Sequence, residues 1–386
     1  MYVRRILLSV LTLLLFLCVS SNQARAEDIV YLGDITLHQQ FVKAKILTIE
    51  ESEPQAYSTW SSSLIEQHIK VKILSGAYNG QELTALNSLS GSKGIDIIVE
   101  PGDLVMVCIQ EAESNDGNTE IYEIFIADQW RSNAVFWLLF IFAVLMVAIG
   151  RLQGLKSLLA LCLTALGIYY VLLPGLVAGK SPIFLTVAIL VVAAMLTMFF
   201  VAGFSRKAAA ATLGILGGLL AAAVLSYIFG DLAQLHGLAS EEERTILYFD
   251  ELSIDMEGLL FSGIMIGALG AIMDVAISIS SAITEIKQAD PGKTAYELFV
   301  SGMNVGKDIM GTMANTLILA YAGGALPLLI LFIVNDMEAV NILNWELVVT
   351  ELVRALVGSI ALILCVPITA IVAGFLQHNK ATAAEE

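Results

Sequence analysis

The stretch Gly263-Ile-Met-Ile-Gly267-Ala-Leu-Gly270-Ala-Ile-Met-Asp274-Val-Ala-Ile-Ser278-Ile-Ser-Ser281-Ala-Ile-Thr-Glu285 carries two patterns at once. It is apolar over enough residues to cross the roughly 30 Å of hydrocarbon in a bilayer. Within it Gly263, Gly267, Gly270, Asp274, Ser278, Ser281 and Glu285 recur at steps of four, three, four, four, three and four, which places all of them on one helical face. That face is small at one end and polar at the other. Small residues let a second backbone approach closely, and an ionisable group inside a span is costly unless it meets a partner or a water-filled cavity. The segment therefore predicts a transmembrane helix of a polytopic protein, with one face set apart from lipid.

Working outward, the next apolar run continues the same rhythm. Asn304, Asp308, Gly311 and Asn315 are spaced four, three and four, with Thr312 and Thr316 beside them. Two polar stripes on consecutive antiparallel helices are expected to face each other, as a hydrogen-bonded seam or as an ion site. Gly323, Gly324 and Pro327 then interrupt the run, since glycine loosens a helix and proline removes a backbone donor. Further apolar runs give about seven spans, near 133–150, 157–177, 183–204, 208–229, 257–284, 309–334 and 352–376. Ser205-Arg206-Lys207 makes a tight turn between the third and fourth, and Gly214 and Gly218 form a GxxxG packing pair in the fourth.

Towards the N-terminus, Arg4 and Arg5 precede an apolar run from Ile6 to Val19, and Ala24-Arg25-Ala26 supplies small residues for a signal peptidase. Residues 1–26 are thus expected to be a signal peptide. Residues 27–132 switch to period two, with Val42, Ala44, Ile46 and Ile69, Val71, Ile73 alternating with polar neighbours. Later strands are expected at 81–86, 95–99, 104–109 and 120–127. Asn79-Gly80, Pro101-Gly102-Asp103 and Asn115-Asp116-Gly117 supply turns. The expected fold is a small β-barrel-like, OB-like domain ahead of a helical membrane domain, 133–376, and a short tail, 377–386.

Composition agrees: 57% of the 386 residues are hydrophobic and 15% are charged, against about 25% charged in soluble domains. The formal charge of -16 excludes nucleic acid as an expected partner. With the β-domain outside, the segments expected in the cytoplasm hold Arg151, Lys156, Arg206, Lys207, Lys287, Lys293, Lys307 and Lys380, and the outer loops only Lys180, Arg244 and Arg354. That asymmetry obeys the positive-inside rule and puts the C-terminus in the cytoplasm. Four dispersed cysteines and four dispersed histidines give no metal-ligand spacing, and HExxH, GxSxG and GxxxxGK[ST] are all missing. No cofactor, metal or enzymatic activity is expected. The expected partners are the lipid bilayer, a small-molecule or ion substrate, and a second copy or a second membrane subunit.

The run Gly267-Ala-Leu-Gly270-Ala-Ile-Met-Asp274-Val-Ala-Ile-Ser278-Ile-Ser280-Ser281-Ala-Ile-Thr-Glu285, followed by Gly306-Lys-Asp308-Ile-Met-Gly311-Thr312-Met-Ala-Asn315-Thr316-Leu-Ile-Leu-Ala-Tyr321, resembles the YibE/F family of bacterial multi-span proteins. The resemblance extends over most of the chain, including the outer β-domain with its Gly80 turn and Pro101-Gly102-Asp103, and implies the architecture rather than an activity. A shorter likeness links Asp274, Glu285, Pro291-Gly292 and Thr312/Thr316 to the order of groups in SecD/RND-type proton-driven exporters. It implies a coupled proton path only by analogy. The resulting expectation is a secondary transporter or export component. Asp274 is its titrating or cation-binding group, Ser278, Ser281, Thr312 and Asn315 its hydrogen-bonding neighbours, and Glu285 with Asp308 its cytoplasmic mouth. The alternative is a membrane-anchored binding or scaffold protein whose β-domain captures an envelope ligand or partner.

Overall fold

The computed structural model describes residues 28–32, 35–51, 65–92, 94–113, 119–248 and 254–382. By contacts the chain divides into two compact units, Met1–Leu145 and Met146–Glu386. The expected signal peptide and the Asn115-Asp116-Gly117 turn lie outside the described residues.

The first unit is a β-barrel. Its strands are β1 (Asp28–Leu32), β2 (Ile35–Glu51), β3 (Ile65–Ile73), β4 (Glu82–Leu89), β5 (Leu104–Glu113) and β6 (Thr119–Gln129). Hydrogen bonding runs β1-β2-β3-β4-β6-β5, and β5 returns to β2, so β2 to β6 close into five strands with β1 as an extension. β4 and β6 run parallel where Leu86 meets Phe125, and the other pairs are antiparallel. Closure rests on the long β2, which pairs with β5 through Leu37–Lys45 and with β3 from Ala44 onward. The register shift between Ile46 and Thr48 is a bulge that bends the strand between its two partners. Val42, Ala44, Ile46, Ile69, Val71, Ile73, Val105, Val107 and Ile109 fill the interior, as period two requires. Gly76 is demanded twice over: its φ is +82°, and a Cβ there would lie 2.7 Å from Val42 Cγ1.

Residues 95–99 do not form the expected strand. Local turn bonds, Ile95 N–H and Asp96 N–H to Ser92 O, and side-chain contacts hold this segment in place of a ladder. Asn87 Nδ2 donates to Ile97 O at 3.0 Å, Gln129 Nε2 to Ile98 O at 3.1 Å, and the Ser90 N–H and hydroxyl both donate to Asp96 Oδ1. Ile95 and Ile98 point outward, while Val99 is buried and Ile97 packs, partly buried, against the barrel core, so the apolar run reflects a loop with two inward anchors.

From Ser132 onward the chain is helical. The helices are α1 (Ser132–Gly167), α2 (Leu173–Val177), α3 (Pro182–Ala202), α4 (Arg206–Leu232), α5 (Glu241–Ile246), α6 (Met256–Ala289), α7 (Ala295–Gly324), α8 (Leu326–Val334), α9 (Ala339–Asn344) and α10 (Glu346–Thr382). A π-turn, Ile168–Leu172, joins α1 to α2 ahead of Pro174. Arg151 breaks α1 with φ 49° and ψ -130°. Among the described residues, five helical stretches are long and apolar enough to cross a membrane, or six when α7 and α8 count as one span bent by 59°. The bend falls at Gly323, Gly324 and Pro327, where the sequence placed an interruption. The chain is a membrane protein.

The bundle is centred on α6 and α10. Gly214 and Gly218 of α4 lie against Thr369 and Cys365 of α10, and a Cβ on Gly218 would come 2.8 Å from Ile272 Cγ2 of α6. The GxxxG pair is therefore a three-helix contact. At one end, Ser280 Oγ donates to Lys207 O at 2.7 Å, Gln377 Nε2 to Thr284 Oγ1 at 2.9 Å and Arg206 Nη1 to Leu376 O at 2.9 Å. The α6–α7 turn is tied down from inside. Lys287 Nζ is buried and donates to Pro291 O and Lys293 O, each at 2.7 Å, and Thr294 with Glu297 closes a capping box on α7.

Two predictions follow from this packing. Gly218→Val should destabilise the bundle by about 1–3 kcal/mol, the usual cost of overpacking, whereas Gly263→Ala, with nothing within 4 Å of the new methyl, should be neutral. Thermal unfolding in detergent distinguishes the two, and equal losses would contradict the packing described. In the barrel, the Ser90 N–H and hydroxyl hold the exposed Asp96 carboxyl below the ordinary aspartate range. Its stabilisation is therefore present above the unfolded-state value and is lost as pH falls through the folded-state value. Asp96→Ala should lower the barrel's melting temperature at neutral pH by an amount that shrinks on acidification; a pH-independent deficit would remove the Ser90 contacts as its cause.

Candidate functional site

α6 begins on Asp255, whose carboxylate caps Gly258 N at 2.9 Å, and runs for 34 residues. One broad face carries Ile264, Ala268, Ile272, Val275, Ala276, Ile279 and Ile283 into the core. The opposite face carries Gly263, Gly267, Gly270, Asp274 and Glu285, all exposed on the surface of the single chain, with Ser278 and Ser281 half-buried at its edge. Nothing lies within 4 Å of a Cβ built on Gly263 or Gly270. The expected stripe is real, but it lines an open track and not a buried seam.

On α7 the residues turned inward are Leu298, Gly302, Gly306 and Leu317. A Cβ on Gly302 would come 2.5 Å from Ile283, and one on Gly306 3.2 Å from Ile279. Leu317 and Ala268 both approach Gly358 of α10. These contacts share one antiparallel register, which sets Gly270 level with Asn315, Asp274 with Gly311, Ser278 with Lys307, and Ser281 with Asn304. Asn304, Asp308, Gly311, Thr312, Asn315 and Thr316 are all exposed, on the side of α7 away from the Gly302–Gly306 ridge. Thr312 and Thr316 turn their hydroxyls back to Ile309 O and Thr312 O, each at 2.9 Å.

The two stripes thus match in depth but do not face each other within one chain. The reason is the glycine spacing. Gly302 seats mainly against Ile283 of α6 and Gly306 mainly against Val366 of α10, at 2.5 Å and 2.3 Å from a built Cβ, and a helix that seats those two inward turns Asn304 and Asp308 outward. Asp308 also lies near the depth of Ser278, well away from Glu285, so these two carboxylates do not form one mouth. The helix itself starts at Ala295, ahead of the apolar run expected from 309, because Asn304, Lys307 and Asp308 lower the apolar signal of a continuous helix. Gly311, Gly323 and Gly324 are open to the surface, and Pro327 sits in the first turn of α8.

Sequence reading missed a second polar group, at the opposite end of the track. Arg354 is not in a loop: it lies within α10 and its Nη1 donates to Glu351 Oε1 at 2.8 Å, with both side chains about one-quarter exposed (26%). Tyr321 of α7 lies within electrostatic reach of both, and its hydroxyl fills the space a Cβ on Gly267 would need. Thr350 Oγ1 and Arg354 Nε are buried there without a hydrogen-bond partner among the described residues, and buried polar atoms ordinarily have one. The signal available in sequence was Glu351 and Arg354 one helical turn apart at the head of an apolar run. The line Glu351–Arg354, Tyr321, Gly267, Asp274, Ser278, Ser281 and Glu285 runs the length of α6. No group of three or more His, Cys, Asp or Glu among the described residues is placed to hold a metal ion.

No curated protein and no solved structure matches the chain. Two family models do: the YibE/F family N-terminal domain matches residues 37–125, over the barrel, and the YibE/F-like protein model matches residues 138–379, over the helical unit and the polar line just described. With well over half of its length matched, the chain belongs to the YibE/F family.

Proposed function

We propose that this protein is an ion- or proton-coupled secondary transporter or export component whose working groups lie along the polar line of α6. The observation that carries the reading is Asp274. It is a carboxylate in the middle of an apolar helix, beside a glycine track open to approach, with no hydrogen bond or ion pair among the described residues. An ionisable group retained in such a place marks an ion or proton pathway more often than a structural need. Asp274 serves as the titrating or cation-binding group, with Ser278 and Ser281 as neighbouring ligands. Glu285 ends the line on the cytoplasmic side, and the Glu351–Arg354 pair with Tyr321 ends it on the outer side.

The topology proposed with it has seven crossings. The stretch Ser132–Val177 has 46 residues, about 70 Å if helical throughout at 1.5 Å per residue, which is twice the hydrocarbon thickness. The Arg151 break divides it into two crossings. The barrel then lies outside, the α3–α4 and α6–α7 turns with Arg206, Lys207 and Lys293 inside, and the C-terminus in the cytoplasm, consistent with the positive-inside rule. The β2-β3-β4-β6-β5 order with parallel β4 and β6 supports an OB-like reading of the barrel.

A second reading rests on the barrel surface. Lys45 and Lys72 are directly opposed across β2 and β3, with Lys70 two residues along β3. None of the three makes an ion pair among the described residues, although like charges in register repel. Such a patch suits an anionic envelope ligand, and a protein that only bound one would need no flux through its helices.

The test is reconstitution. In proteoliposomes, Asp274→Asn should abolish pH- or cation-gradient-driven flux while leaving the unfolding temperature unchanged, and Glu351→Gln should reduce flux less. Undiminished flux in Asp274→Asn would remove that residue from the mechanism. Absence of any gradient-dependent flux across a panel of ions and solutes, with retention of an anionic polymer lost in Lys45→Ala/Lys72→Ala, would favour the binding reading.

A further inference from the structure

We propose that the barrel loop at residues 94–99 contacts lipid directly, with Ile95 and Ile98 seated in the headgroup region of the leaflet on the barrel's side. This attachment is independent of what the helices carry.

The barrel runs into α1 without a free linker. Trp130 N–H still donates to Leu104 O of β5 at 3.0 Å, and one residue later Arg131 O already accepts from Ala134 N–H and Val135 N–H at 3.1 and 3.3 Å. From Ala134 to Gly150 the sequence is then unbroken by any polar residue, as the start of a span requires. Only Arg131, Ser132 and Asn133 separate Trp130 from that run, about 10 Å of chain with the helix already begun. The headgroup region beyond the hydrocarbon is itself about 5–8 Å deep, so this edge of the barrel stands at the membrane surface. Tryptophan is the residue that favours such an interface.

The loop belongs to the same edge. Gln129, the neighbour of Trp130, donates from Nε2 to Ile98 O at 3.1 Å. The turn from Glu100 to Asp103, closed by Glu100 N–H on Asp103 Oδ2, leads straight into Leu104, whose carbonyl Trp130 holds. The apolar tips are also fixed in place. Ile95 N–H and Asp96 N–H share Ser92 O, Asp96 Oδ1 accepts from Ser90, and Asn87 Nδ2 donates to Ile97 O. With Ile97 and Val99 packed into the barrel core, Ile95 is left 79% exposed and Ile98 57% exposed. No other large apolar side chain described in the barrel is as exposed as either, so the apolar maximum of its surface coincides with its membrane edge. Single exposed apolar residues are ordinary in water, but a pair held out rigidly beside a span matches elements that bury an apolar face about 5–10 Å into the headgroup boundary. At the other end of β3 and β4 the turn carries Asn79-Gly80 at its tip.

Charge gives this edge no preference between lipids. Asp96, Glu100, Asp103 and Asp128 are set against Lys43, whose Nζ stands 5.1 Å from the centre of the Trp130 ring, Lys45, which pairs with Leu104, and Arg131, which pairs with Asp128. Lys93 lies in the same stretch of sequence. Four acids meet four bases, and apolar contact rather than anionic headgroups makes the attachment.

The experiment uses the full chain in phosphatidylcholine nanodiscs. Ile95→Cys and, separately, Ile98→Cys carry an NBD fluorophore in a Cys18→Ser background. Cys108, Cys162 and Cys365 are buried, and the background without an added cysteine sets the blank. Lipids bearing a nitroxide near the headgroup should quench both probes severalfold more than a probe at Asn79→Cys on the far turn. Anionic lipid should add nothing. Adding Ile98→Asp should cut the quenching of the Ile95→Cys probe severalfold without changing the unfolding temperature, because both side chains project from the barrel. Quenching no greater than at Asn79, quenching that requires anionic lipid, or probes shielded from aqueous iodide yet untouched by the lipid nitroxide, as under a protein cover, would each overturn the proposal.

Discussion

Hydrocarbon offers no hydrogen bonds, and the helical unit is organised around that constraint. Every span must satisfy its own backbone, and every polar side chain that enters must bring or find a partner. Most do so locally. Thr164, Thr212, Ser262, Thr284 and Ser359 each return a hydroxyl to the carbonyl four residues back, which removes the cost without any contact between helices. The ends are joined by longer bonds from Ser280, Gln377 and Arg206. Against that background Asp274 and the α7 amides are exceptions that local geometry does not absorb, and their grouping on two faces is the reason to read function there.

The same absence of a hydrophobic driving force between helices explains why the bundle is built on small residues. Gly214 and Gly218 let α4 settle on Thr369, Cys365 and Ile272, and Gly302 and Gly306 do the same for α7 on α6 and α10. Those glycines are spent inside the chain. Gly263 and Gly270 have the same spacing logic yet meet nothing, so an identical sequence device has two outcomes, one packed and one still available.

Much of this was legible in the residues. Period two in Val42–Ile46 and Ile69–Ile73 gave the barrel wall, because inward and outward positions alternate strictly there. The α6 stripe, the α7 stripe, and the break at Gly323–Pro327 were likewise visible, since each is a statement about spacing along one helix. What spacing does not encode is the rotation of one helix about its axis relative to its neighbour. Either Gly302–Gly306 or Asn304–Asp308 had a credible claim to face the α6–α10 core, and only volume decides: two glycines bring the backbones closer than an amide and a carboxylate allow. The strand expected at 95–99 failed for a related reason. A short apolar run says that something is anchored inward, but Asn87 and Gln129, which bond its carbonyls, and Ser90, which bonds the Asp96 carboxylate, are what hold that loop.

The Glu351–Arg354 pair shows where the two limits meet. Charge counting assigns an arginine near the end of an apolar run to a loop, because an unpaired guanidinium would not stay in a span. Pairing one turn apart along α10 changes that balance, as two opposite charges fixed at 2.8 Å shed much of the cost that either carries alone. The pair remains one-quarter exposed, so it is poised where a polar line from Asp274 would reach water. Tyr321, its hydroxyl standing where a Cβ on Gly267 would be, lies between the pair and the glycine track. A glycine at 267 is what gives the tyrosine room to stand there, which joins the small end of the stripe and its polar end into one device.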